Sequence, residues 1–74
     1  MRIVNLKKTG QNIKTLQEKN NISVQELQDS LFLGSKQAIY KWRWGQSLPD
    51  IENLLAMADL FHCKVEDILV TDEV

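Results

Sequence analysis

Gly34-Ser35-Lys36-Gln37-Ala38-Ile39-Tyr40-Lys41-Trp42-Arg43-Trp44-Gly45 begins and ends on glycine, and its apolar positions recur at helical spacing. Ala38, Ile39 and Trp42 fall on one face, which predicts a helix from Ser35 to Trp44 with Ser35 as N-cap. Gly45 suits the left-handed residue that ends such a helix. Upstream, Ser23 and Glu26 form a capping-box pattern that opens a preceding helix, with Leu27 and Leu31 as its apolar pair. Two short helices, a tight turn and small Ala38 at the crossing make a helix-turn-helix. The physical requirement of that unit is specific: the helices must cross closely. The second must also present its polar N-terminal side chains to a major groove about 12 Å wide.

On either side of this unit the chain also divides into helices. Thr9 to Lys19 turns Ile13 and Leu16 inward, behind a break at Thr9-Gly10; Thr9 is the expected N-cap and Asn5 the competing one. Asp50 caps a fourth helix in which Ile51, Leu54, Leu55, Ala58 and Phe61 recur as its apolar stripe. Met57 and Leu60 widen that stripe, as deeper core or as a dimer contact. Val65, Ile68 and Leu69 mark a short fifth helix, Arg2 to Leu6 an extended arm, and Thr71 to Val74 a tail without fold signal. The expected fold class is all-α: one five-helix domain over residues 1–74, with its core at about 9–69.

Seventy-four residues, 43% of them hydrophobic and 26% charged, describe an ordinary globular chain too small for a large catalytic cleft. No paired carboxylates, nucleophile–base set or phosphate-cradling glycine loop is visible, so no enzyme is expected. Cys63 is the single cysteine and His62 the single histidine, which leaves no disulfide framework, no metal set and no expected cofactor. No apolar run approaches the ~20 residues that span a bilayer. A cytoplasmic protein without a membrane partner is the resulting expectation.

The net charge of −1 conceals a gradient. Residues 1–30 carry five basic and three acidic side chains. Residues 31–49 carry Lys36, Lys41 and Arg43 and no acid, whereas residues 50–74 set seven acids against Lys64. The basic segment also holds Gln37, Tyr40, Trp42, Trp44, Gln46 and Ser47, a mixture that suits phosphates and base edges. Trp42 shares the Ile39 face and should pack inside; Tyr40 and Trp44 should point outward.

From Ser23 through Leu27, Leu31, the Gln37-to-Trp42 run, Gly45 and Pro49 to the Ile51-Leu54-Leu55-Ala58 stripe, the chain resembles the lambda-repressor-like helix-turn-helix family, the Cro/cI or XRE type of bacterial and phage regulators. The resemblance spans about Thr9 to Leu69. It implies that residues 35–44 form a recognition helix whose Lys36, Gln37, Tyr40 and Lys41 face base edges, Lys36 toward guanine O6/N7 and Gln37 toward adenine N6/N7. It implies phosphate contacts from Ser23 with the amides of Val24 and Gln25, and from Ser35, Arg43, Trp44 and Gln46. The implied protein is a stand-alone transcriptional repressor that binds double-stranded DNA as a homodimer through the fifth helix and the arm or tail. An antitoxin, or a protein-interaction module that kept the fold without DNA binding, are the alternatives. The chain departs from the family pattern in four places. Val24 stands where glutamine is usual, and the Leu31–Ile39 connection is one residue longer. Gln17 and Arg43 occupy the positions of a customary ion pair, and His62 and Lys64 replace a glycine and a capping residue.

Overall fold

The computed structural model describes residues 1–74. Strand β1 (Arg2–Val4) leads into helices α1 (Leu6–Lys19), α2 (Val24–Ser30), α3 (Gln37–Arg43), α4 (Ile51–Phe61) and α5 (Val65–Ile68), and β2 (Thr71–Glu73) closes the chain. The five expected helices are present, but the fold is not purely α. The arm and the tail pair as a two-stranded antiparallel sheet with Ile3 opposite Asp72. Three residues per strand give too little alternation to announce a sheet, and their pairing spans nearly the whole sequence.

α1 begins a turn earlier than Thr9 because Asn5 caps it, its side chain accepting from Lys8 N at 2.9 Å. Thr9 is buried instead, where its hydroxyl accepts from Val70 N at 2.9 Å and donates to Val70 O at 3.3 Å. One turn on, Asn12 donates to the carbonyls of Asp67 and Ile68 at 2.7 and 2.9 Å, satisfying acceptors at the end of α5. Asn5 adds a bond to Asp72 at 2.9 Å. Asn5, Thr9 and Asn12 therefore form a polar seam, at helical spacing, that ties α1 to the C-terminal segment.

The first four helices end alike. After each, one residue takes the left-handed conformation: Asn21 (φ 55°), Phe32 (55°), Gly45 (75°) and His62 (56°). At each end the following amide reaches back to a carbonyl in the helix, as Leu33 N does to Gln28 O (3.0 Å) and Cys63 N to Ala58 O (2.9 Å). These are Schellman closures, which satisfy carbonyls that would otherwise face nothing. The Leu31–Ile39 connection leaves α2 through such a closure, with Phe32 as its left-handed member.

Ile13, Leu27, Leu31, Ile39, Trp42, Leu54, Met57, Ala58, Phe61 and Ile68 form one buried cluster drawn from all five helices and the α2 cap. Met57 is fully buried, so it belongs to the core rather than to an outer face. Ile51 and Leu55 do not: they are 72% and 55% exposed, because α4 turns Leu54, Met57, Ala58 and Phe61 inward. Leu16, Val65 and Leu69 only border the cluster, and Leu69 caps α5 in extended conformation instead of continuing it. Gln17, 3% exposed, is a polar residue inside this core, with Oε1 unpartnered and its amide on Ile22 O at 3.4 Å.

Candidate nucleic-acid interface

Two glycines set α3 against α1. Gly10 lies within α1, not at a break, and a Cβ there would collide with the Trp42 carbonyl oxygen and stand 2.8 Å from that of Arg43. At the far end of α3, a Cβ on Gly45 would stand 2.7 Å from Lys7 Cα. Backbone meets backbone at both points, so α3 is held against α1 along one side and bares the other.

The bared side carries the residues that the sequence singles out. α3 starts at Gln37, later than expected: Lys36 stands at its cap in helical conformation without a side-chain bond, and Ser35 Oγ accepts from Gln37 N at 3.4 Å. Lys36, Gln37, Lys41, Trp44 and Gln46 are exposed, and Tyr40 and Arg43 are half-buried. Trp42 packs inside, as its place on the Ile39 face requires. Tyr40 and Trp44, one turn apart, stack with centroids 5.8 Å apart and planes 26° from parallel. The Arg43 guanidinium carbon sits 5.5 Å from the Tyr40 ring centroid, within cation–π range. A shallow hollow of about 310 Å³ lies between Gln37, Tyr40, Lys41 and Trp44.

The N-terminus of α2 is differently occupied. Ser23 Oγ accepts from Glu26 N at 3.0 Å, and the Glu26 carboxylate accepts from Ser23 N at 3.4 Å. This capping box puts a carboxylate of the chain itself on the Ser23 amide, at the helix start where the sequence expects a phosphate. Gln25 donates to Asp29 at 3.0 Å within α2. The Cys63 thiol is pushed up from its ordinary pKa by burial and then by Asp67. No group of His, Cys, Asp and Glu is placed to hold a metal ion. No helix is long and apolar enough to cross a membrane.

No family model matches the sequence, and no curated protein is similar enough to count as a relative. Solved structures do match. The restriction-modification controller protein C.AhdI from Aeromonas hydrophila superposes with a TM-score of 0.73, covering 85% of this chain and 94% of that one at 21% identity. The DNA-binding domain of BldD gives a TM-score of 0.71 over 89% of this chain and 94% of that one, at 13% identity. The chain shares their helix-turn-helix fold. At such identities the likeness is one of backbone, so the side chains of this helix-turn-helix domain have to speak for themselves.

Sequence reading missed Gln11 and Lys14 on α1, which face Arg43 and Trp44 across a groove. Their signal is the polar stripe Gln11, Lys14, Glu18 on the side of α1 turned away from Ile13, which reads as ordinary solvated surface until α3 is seen beside it.

Proposed function

We propose that this domain binds double-stranded DNA sequence-specifically, with α3 in the major groove, and acts as a small transcriptional repressor covering the whole of residues 1–74. The observation that carries the reading is the free face of α3: Gln37, Tyr40, Lys41 and Trp44 stand outward together, next to Lys36 and Arg43, in a stretch of nineteen residues without one acid. Amide and ammonium groups there suit base edges, Gln37 for adenine and Lys36 or Lys41 for guanine. Arg43, Trp44, Ser35 and Gln46 flank them at positions suited to phosphates, and the names of the two solved neighbours, a controller protein and a DNA-binding domain, agree with this use of the fold. At the Ser23–Gln25 turn the Glu26 carboxylate already takes the Ser23 amide, which makes this the weakest of the proposed phosphate contacts.

The domain acts as a homodimer in this reading, since a single short recognition helix reads few base pairs and paired half-sites lie about 34–36 Å apart. Ile51 and Leu55, exposed one turn apart on α4, add apolar surface for a second copy beyond the arm and α5.

The test separates two roles. Gln37→Ala should relax base preference at one position, at a cost of about 1–3 kcal/mol on the preferred site. Arg43→Ala should weaken binding to all duplexes alike and lower the salt slope by about one. Equal effects of both substitutions on every sequence would remove direct readout by α3.

A further inference from the structure

We infer that α1 supplies a second DNA-backbone site: a groove between α1 and α3 in which Lys14 and Arg43 together take one phosphate of the strand flanking the major groove. The inference rests on the DNA-binding reading above and deepens it. The groove encloses about 500 Å³, with Gln11, Lys14 and Glu18 on its α1 wall and Tyr40, Arg43 and Trp44 on its α3 wall.

Two cations line this groove and neither has a carboxylate within 4.0 Å; the one ion pair of the molecule joins the Met1 ammonium to Glu73. Glu18 shares the wall with Lys14 at helical i,i+4 spacing and yet leaves it unpaired. Gln17, also on α1, is buried with its amide on Ile22 O, and its Oε1 takes no hydrogen bond from Arg43. The groove therefore offers positive charge without a carboxylate to neutralise it, which is what an external anion needs.

Its position identifies the anion. At 3.6 residues per turn, Arg43 lies about 120° round α3 from Gln37. When Gln37 and Lys41 face the floor of a major groove, Arg43 faces its wall, where the sugar–phosphate strand runs. The groove is also continuous with the hollow beside Gln37 and Lys41, because Tyr40 and Trp44 border both. A strand following that surface meets the exposed Trp44 ring first, and then the groove lined by Lys14 and Arg43. The Gln11 amide supplies a further donor at that point, and Glu18 is the one group opposing the phosphate.

Salt dependence on a duplex that the wild-type protein binds tests this, with Lys14→Gln and Glu18→Gln, both at exposed positions. Lys14→Gln should lower the slope of log K against log salt by about one, without altering sequence preference. Glu18→Gln should tighten binding several-fold at low salt. An unchanged slope for Lys14→Gln, or a Glu18→Gln variant that binds no tighter, overturns the second site while DNA binding itself stands. A wild-type protein that binds no duplex overturns the parent reading, and this one with it.

Discussion

Gly10→Ala is expected to lower the melting temperature by about 15 °C. Helix propensity alone predicts the opposite, since alanine is better than glycine in a helix interior by roughly 1 kcal/mol. Packing reverses the sign. The added Cβ would meet the Trp42 and Arg43 carbonyl oxygens and stand 2.9 Å from Arg43 C, and these are backbone atoms that no rotamer change can move. α1 and α3 must then separate, and overpacking of that kind costs about 3 kcal/mol, the upper end of the usual range. Against a total of roughly 4–11 kcal/mol for a chain of this length, that is a large share. At about 4–8 °C per kcal/mol in a small domain, the loss is easily resolved by thermal denaturation followed through helical circular dichroism. A melting temperature within two or three degrees of wild type would mean that the two backbones do not touch as described.

Gly45→Ala is expected to cost nearly as much, for two reasons that add. A left-handed residue with a side chain costs about 1–2 kcal/mol, and Gly45 has φ 75°. Its Cβ would also stand 2.7 Å from Lys7 Cα and 3.0 Å from Lys7 N, at the start of α1. A fall of about 10 °C follows. Phe32 supplies the internal control. It holds the same left-handed place after α2, is 94% exposed, and loses no burial when truncated. Phe32→Gly should therefore raise stability by a few tenths to about 1 kcal/mol, the relieved strain exceeding the added freedom of the unfolded chain. Loss of stability in Phe32→Gly, or none in Gly45→Ala, would contradict the assignment of these residues to equivalent helix closures.

The helix-turn-helix was legible because its signals are local. Ser23 and Glu26 cap α2 as their spacing says, Asp50 caps α4 through Asn53 N, and Ile39 with Trp42 faces the core. What stayed hidden depends on residues far apart in sequence. Gly10 looked like a helix break because nothing nearby reveals that the Trp42 carbonyl will lie against it. Thr9 looked like a cap because a hydroxyl near a helix start suits a cap, and its true partner is Val70, 61 residues away. The sheet pairs residues 2–4 with 71–73, again beyond any local pattern. Ile51 and Leu55 kept helical periodicity with Leu54 and Ala58, yet a stripe wider than the available core leaves its edge outside.

The candidate site divides along the same line. Exposure of Gln37, Lys41 and Trp44 follows from their angle to Ile39 on one helix, so sequence sufficed. The groove beside Arg43 needs α1 and α3 placed side by side, and the contact that places them runs through Gly10. A helix pushed away from α1 would open the groove lined by Lys14 and Arg43 as well as losing stability.

The central claim, that the free face of α3 reads DNA, is tested most directly by selecting bound duplexes from a random pool and titrating the winners against salt. An enriched motif is expected, arranged as two half-sites about one helical turn apart, whose binding weakens steeply as salt rises. No enriched motif together with a flat salt response would contradict it, and would turn the same exposed side chains into a surface for another protein.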